Sequence, residues 1–82
     1  MERQTFQLVG RNGNRRESLL FRDQEGRYYL RPGCGTRLVR LTTRDAQALM
    51  RRQDYRLVLD SGWYDYDQVV AIDCPLPDGS IA

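Results

Sequence analysis

The stretch of residues 18–31 constrains the fold most, because it contains two short β-strand patterns joined by the turn Asp-Gln-Glu-Gly. Asp at the first turn position and Gly at the fourth suit a type I turn followed by a glycine in the left-handed conformation of a β-bulge. In that register Asp23 faces Arg27 and Phe21 faces Tyr29. Apolar side chains then fall on both faces, so we predict that the hairpin lies in the middle of a sheet or is covered by a second chain. The two sets are Leu19, Phe21 and Tyr29 on one face and Leu20, Tyr28 and Leu30 on the other.

Alternating and periodic apolar residues predict four more strands and one helix. The helix begins after Thr42, because Thr42 as N-cap and Asp45 three residues later form a capping-box pattern. The apolar spacing before Thr42 also fits a helix that begins earlier. A tight turn at Asn12-Gly13 is predicted to join the first two strands, since both residues tolerate positive φ. The four strands are Thr5–Val9, Thr36–Leu41, Asp54–Asp60 and Gln68–Asp73, and the helix spans about residues 43–52.

These elements predict a single α+β domain, in which an antiparallel sheet of five or six strands carries one short helix. Such a sheet could curl into a small half-barrel. The chain of 82 residues is long enough for one domain and too short for two. Prolines at positions 75 and 77 cannot donate to a strand ladder. We therefore expect a domain of residues 1–75 and an extended tail of residues 76–82.

All 13 basic residues are arginine, and the chain has neither lysine nor histidine. The arginine bias reflects either codon usage or selection for the planar guanidinium, which suits phosphate, carboxylate and aromatic partners. The lack of histidine removes the commonest general base and the commonest metal ligand. No pair of carboxylates, activated nucleophile or phosphate-binding loop takes its place. We predict that the protein is not an enzyme and binds no cofactor.

Cysteine content and hydropathy indicate the compartment. Cys34 and Cys74 allow one disulfide at most and cannot complete a structural zinc site by themselves. No apolar stretch reaches the length of a membrane helix, and the opening Met-Glu-Arg-Gln lacks the apolar core of a signal peptide. We expect a cytoplasmic protein without membrane association, in which both thiols are reduced.

Charge is separated along the chain. Residues 1–53 carry twelve arginines and five acids, a balance of +7, whereas residues 54–82 carry one arginine and six aspartates, a balance of −5. Three interpretations compete. The halves neutralise each other within the fold, they meet between copies of the chain or bind a charged protein, or the arginine-rich half binds nucleic acid. The acidic half could also mimic nucleic acid toward a basic protein.

The nucleic-acid interpretation places the binding face on the 18–31 hairpin and the residues before it, where arginines flank tyrosines that can stack on bases. Residues 26–31 depart from the RNP1 motif, since they lack its second small residue and its later aromatic residue. The candidate nucleic-acid-binding residues are Arg15, Arg16, Arg22, Arg27, Tyr28 and Arg31.

The segment from Trp63 to Asp67, Trp-Tyr-Asp-Tyr-Asp, has three interpretations. Its aromatic residues could point inward while its aspartates face solvent. Asp65 and Asp67 could join Asp60 around a hard cation, although the segment departs from the EF-hand pattern. The rings could instead anchor a protein interface, where Trp and Tyr are frequent hot-spot residues.

These observations lead to one functional prediction and one alternative. We predict a non-catalytic protein–protein interaction module, an accessory or regulatory subunit of an oligomer or larger assembly, with no metal site and no small-molecule substrate. The alternative is a nucleic-acid-binding module that uses the arginine- and tyrosine-rich hairpin. The candidate residues for binding a protein partner, or a second copy, are Phe21, Tyr29, Trp63, Tyr64 and Tyr66.

Overall fold

The computed structural model describes residues 4–13, 18–33, 37–58 and 62–70, which form an antiparallel sheet with a helix on each face. The strand order is β4-β3-β2-β1-β5, and β6 pairs with the start of β1, so the sheet is open with β4 and β5 at its ends. The predicted α+β architecture of five or six antiparallel strands with a short helix is confirmed. The described elements are β1 (Thr5–Asn12), β2 (Ser18–Asp23), β3 (Tyr28–Arg31), β4 (Val39–Leu41), α1 (Thr43–Met50), β5 (Tyr55–Leu57), β6 (Tyr64–Asp65) and α2 (Tyr66–Val70).

The β2–β3 hairpin has the predicted register and the predicted turn. The backbone N–H of Asp23 donates to the carbonyl oxygen of Arg27 at 2.9 Å. Gly26 has a φ of +83°, the left-handed conformation that the bulged turn requires. Strand β2 has a neighbour on each side, which confirms the central position predicted for the hairpin. The strand pairs are Leu19–Arg31, Leu20–Leu30, Phe21–Tyr29 and Arg22–Tyr28.

Both faces of the sheet are buried at their centres, which explains why the hairpin has apolar side chains on both sides. On one face Leu20 is buried, and Ala46 of α1 is buried as well. The opposite face is covered by α2. Its core cluster consists of Phe6, Leu19, Phe21 and Val69.

The connection between β1 and β2 differs from the predicted tight turn. Asn12 is the last residue of β1 and pairs with Ser18, so Asn12 and Gly13 are not the two central residues of a tight turn. Asn12 does not adopt a positive φ, whereas Gly13 has a φ of +100°. The buried side chain of Asn12 donates from Nδ2 to the carbonyl oxygen of Leu49 at 3.1 Å. This contact with α1 keeps Asn12 in the strand.

Helix α1 begins at the residue predicted from the Thr42 cap, but it ends earlier than predicted. The Oγ1 atom of Thr42 accepts from the backbone N–H of Asp45 at 3.1 Å. The helix ends at Met50 rather than near residue 52, with Arg51 as its C-cap. The neighbouring strands β4 and β5 are both shorter than the segments predicted for them.

The strand predicted for Gln68–Asp73 is wrong in the part that the structure describes. Residues 68–70 belong to α2, a five-residue helix. The β-branched run of Val69 and Val70 favours a strand locally, but a hydrogen-bonded cap at Asp65 imposes a helix here. Residues 71–73, the expected tail of residues 76–82, Cys34 and Cys74 lie outside the described residues.

Candidate protein-interaction surface

Helix α2 begins at a reciprocal pair of hydrogen bonds between Asp65 and Gln68. The backbone N–H of Gln68 donates to Oδ1 of Asp65, and the backbone N–H of Asp65 donates to Oε1 of Gln68, both at 2.9 Å. This is a capping box, in which two helix N-terminal donors are satisfied. Tyr64 precedes the cap and packs against the core cluster that contains Val69, as expected of a hydrophobic staple.

The far end of α2 is joined to the sheet by a buried arginine. Arg31 of β3 is 1% exposed, and its Nη1 atom donates to the carbonyl oxygen of Val69 at 2.9 Å. Burial lowers the pKa of Arg31 from its ordinary value. Charge-assisted hydrogen bonds of this kind are among the stronger ones in proteins. The cap and Arg31 therefore hold α2 at both ends.

Two large aromatic rings next to the cap are exposed to solvent. Trp63 is 44% exposed and Tyr66 is 45% exposed, whereas Tyr64 between them packs against the core. Asp67, the next residue of α2, is exposed as well. We call Trp63, Tyr66 and Asp67 the α2 aromatic surface. Trp63 precedes β6, whereas Tyr66 and Asp67 lie in α2, whose ends are held by the cap and by Arg31.

The residues proposed for protein binding are separated by the fold. Trp63 and Tyr66 lie on the α2 aromatic surface, and Tyr64 is half-buried behind it. Phe21 is fully buried in the core. Tyr29 is half-buried, and its ring meets that of Phe6 edge to face with a centroid distance of 5.1 Å. Only Trp63 and Tyr66 of the predicted set therefore offer a large exposed area.

Tyr29 also belongs to a hydrogen-bond network around Asp23, in an open cleft of about 450 Å³. The Asp23 carboxylate accepts from the backbone N–H groups of Glu25 and Arg27 at 2.9 and 2.8 Å and from Nε of Arg27 at 2.8 Å. It also accepts from the Tyr29 hydroxyl at 3.2 Å, and Nε2 of Gln4 approaches it at 3.4 Å. These donors occupy the carboxylate, which therefore holds the turn rather than presenting acceptors to a ligand.

The network controls the ionisation of Asp23. Burial raises the pKa of Asp23, but the hydrogen bonds from the backbone and side chain of Arg27, from the Glu25 backbone and from Tyr29 outweigh it, and the pKa lies below its ordinary value. The same contacts involve Arg27, whose guanidinium also pairs with Glu25.

The residues proposed for nucleic-acid binding do not share one exposed face. Arg22 is exposed and donates to Gln7, Arg27 is engaged by Asp23 and Glu25, and Arg31 is buried. Tyr28 is half-buried on the face of the sheet opposite to Arg31. Residues 15 and 16 lie outside the described residues. The hairpin thus presents fewer free arginines than its sequence indicates.

Ion pairs between described residues join close neighbours in the sequence. They are Arg27 with Asp23, Arg27 with Glu25, and Arg52 with Asp54. The last pair crosses the boundary between the basic and acidic halves, but its members are two residues apart. None of these ion pairs joins distant parts of the basic and acidic halves, so these contacts do not support the hypothesis that the two halves neutralise each other.

The described residues contain neither a metal-binding cluster nor a membrane-spanning helix. Within residues 4–13, 18–33, 37–58 and 62–70, no group of three or more His, Cys, Asp or Glu side chains is placed to hold a metal ion. No helix in this part of the chain has the length and apolar character needed to cross a membrane. Of the proposed cation ligands, Asp60 is outside the described residues and Asp65 caps α2.

Comparison of the chain with models of known protein families, with curated proteins and with solved structures finds no match.

The sequence carries a signal for the start of α2 but none for the burial of Arg31. The pattern Tyr-Asp-Tyr-Asp-Gln-Val at residues 64–69 contains a capping box preceded by an apolar residue, which is a helix start signal. The burial of Arg31 has no comparable signal, since arginine is ordinarily exposed. Only its register opposite Leu19 placed it on the core face.

Proposed function

We propose that this chain is a non-catalytic protein–protein interaction module, an accessory or regulatory subunit, and that it binds its partner through the α2 aromatic surface. The observation that carries the proposal is the exposure of two large rings, Trp63 at 44% just before β6 and Tyr66 at 45% at the start of α2, a helix that is fixed at both ends. Trp and Tyr are enriched among the residues that dominate binding energy in interfaces.

The way α2 is held supports this proposal in energetic terms. Binding costs free energy when side chains and loops must be ordered at the interface. The Asp65–Gln68 cap and the Arg31–Val69 bond order α2 before any partner arrives. Aromatic rings add large contact area while losing few rotatable bonds. The surface is therefore suited to specific association.

The test is affinity purification from cells that naturally express the chain, before and after nuclease treatment. The bait is the wild-type chain, compared with the double variant W63A/Y66A. The matched control is L57A, which removes another large exposed apolar side chain among the described residues, 67% exposed, on β5. Sedimentation velocity of the purified chain over a salt series shows whether the partner is a second copy.

The proposal expects protein partners, or a self-associated species, that survive nuclease and are retained by L57A but lost with W63A/Y66A. Partners lost on nuclease treatment would favour the nucleic-acid alternative. Equal retention by W63A/Y66A and the wild type would exclude the α2 aromatic surface as the site.

A further inference from the structure

Strand β4 is an end strand whose outward backbone groups can be identified from the hydrogen-bond pattern. Asp23 and Arg27 form a hydrogen-bonded pair, so alternation along the antiparallel ladder makes Phe21–Tyr29 the next such pair. The backbone groups of Tyr28 and Leu30 then point to β4, where they meet Leu41 and Val39. Arg40, between these two, directs its N–H and carbonyl away from β3. Among the described strands none pairs with this side of β4.

The side chains along this edge alternate in character. Val39 and Leu41 lie on the α1 face, and Val39 is 47% exposed. Arg40 lies on the opposite face and is exposed, and Arg37 just before the strand is exposed too. Neither arginine makes an ion pair with any residue in the described part of the chain. The edge therefore combines an apolar position, a free backbone donor and acceptor, and uncompensated positive charge.

A second β4 edge is a poor partner for this one. Two copies paired edge to edge would bring Arg40 of each chain close together, and like charges across a strand pair are destabilising. Charged residues and short length are the usual means by which end strands avoid pairing with their own kind. Pairing with an acidic strand would be favourable instead, because its carboxylates would neutralise the charge of the arginines.

We propose that the outer edge of β4 takes up an extended acidic segment of a partner protein as an added strand. Backbone hydrogen bonds form at Arg40, acidic side chains lie beside the Arg40 and Arg37 guanidinium groups, and apolar side chains lie beside Val39 and Leu41. The segment that fits alternates acidic and β-branched residues. This site is separate from the α2 aromatic surface, and neither depends on the other.

The test uses a short fluorescent peptide that alternates valine and glutamate, with binding to the full chain followed by fluorescence anisotropy over a salt series. Its controls are the same peptide with lysine for glutamate, the same peptide N-methylated on alternate residues to remove one row of backbone donors, and a fluorescent single-stranded oligonucleotide. The proposal expects binding of the parent peptide that weakens with salt, and no measurable binding of the lysine and N-methylated peptides.

Variants of the chain separate charge from backbone pairing. Arg40→Glu is expected to weaken binding about tenfold or more, while Arg51→Glu, an equal charge change at the other end of α1, changes it by about twofold or less. Arg40→Pro removes both the charge and the outward N–H, whereas Arg40→Ala removes only the charge. Pro at this outward position leaves the β3 ladder intact, so circular dichroism should show both variants folded and Arg40→Pro should bind more weakly than Arg40→Ala.

Three results would overturn the proposal. One is the absence of peptide binding at low salt, and another is equal binding by the parent and N-methylated peptides. The third is binding of the oligonucleotide but not of the peptide, which would assign the arginines to nucleic acid. The variant W63A/Y66A should bind the peptide like the wild type, so that failure of one proposal leaves the other standing.

Discussion

Arg31 joins the middle of the sheet to α2 by donating from Nη1 to the carbonyl oxygen of Val69 at 2.9 Å. On the opposite face Asn12 does the same for α1, donating from Nδ2 to the carbonyl oxygen of Leu49 at 3.1 Å. Both donors are buried strand residues, and both acceptors lie in the last turn of a helix, where carbonyls lack intrahelical donors. Two short helices that could not persist alone are thus fixed on the sheet.

Replacing Arg31 should loosen α2. The change Arg31→Met keeps much of the apolar stem but removes the donor to Val69, so we expect the free energy of unfolding to fall by about 2 kcal/mol. Chemical denaturation measures this loss, and hydrogen exchange of the α2 amides should increase locally. Arg22→Met, on an exposed arginine of the other face, should change stability by only about 0.5 kcal/mol. Equal stability of the two variants would contradict the role given to Arg31.

Stability should fall in acid because of Asp23. The pKa of Asp23 is lower in the folded chain than its ordinary value of 3.8, so folding favours the ionised form. That stabilisation is fully present above the unfolded pKa and is lost as the pH falls below about 4 toward the folded pKa. Denaturation of the wild type at several pH values should show this decline, and Asp23→Asn should be less stable at neutral pH and should decline less. Parallel pH profiles for the two chains would contradict the assignment.

Gly10 and Tyr55 should be energetically coupled. A Cβ at Gly10 would overlap the Tyr55 ring, whose hydroxyl donates to the carbonyl oxygen of Val9 at 3.1 Å. We expect Gly10→Ala to cost about 2 kcal/mol, because the ring must move and its hydrogen bond is lost. In a double-mutant cycle, Gly10→Ala should cost clearly less stability in the Tyr55→Ala background than it does in the wild type. Strict additivity would show that the ring does not depend on the absence of a side chain at position 10.

The cap of α2 should contribute measurably to stability. Asp65→Ala removes the acceptor of the Gln68 N–H and is expected to cost about 1 kcal/mol. Asp67→Ala removes an exposed carboxylate from the same helix turn without removing the cap, and we expect a smaller loss, about 0.5 kcal/mol or less. Thermal unfolding of the two variants compares these contributions. A larger loss for Asp67→Ala would indicate that charge near α2, rather than the cap, holds the helix.

The parts of the fold that were predictable are those fixed by local chemistry. The β2–β3 register followed from a turn that demands Gly26, and α1 followed from the Thr42 cap. The strand predicted for Gln68–Asp73 rests on Val69 and Val70, which favour strands, and the Asp65–Gln68 cap overrides that preference to give α2. The turn at Asn12-Gly13 was misplaced because the buried contact between Asn12 and α1 is tertiary.

The candidate site was predictable in composition but not in geometry. Trp63 and Tyr66 were predicted to be interface residues, yet the sequence did not distinguish them from Tyr64 and Phe21, which pack in or against the core. The difference depends on which residues face the sheet, and that is set by the position of α2. The burial of Arg31 likewise depends on tertiary packing against α2 rather than on any local pattern.

The most direct test of the central claim is the affinity of a nuclease-resistant partner, or of a second copy, for the wild-type chain and W63A/Y66A. The single tryptophan reports the contact in the wild type, because its emission shifts when the ring leaves water. We predict that W63A/Y66A binds at least about 30-fold more weakly, as expected for hot-spot residues, while L57A binds within about twofold of the wild type. Equal affinities for W63A/Y66A and the wild type would contradict the assignment of this surface to protein binding.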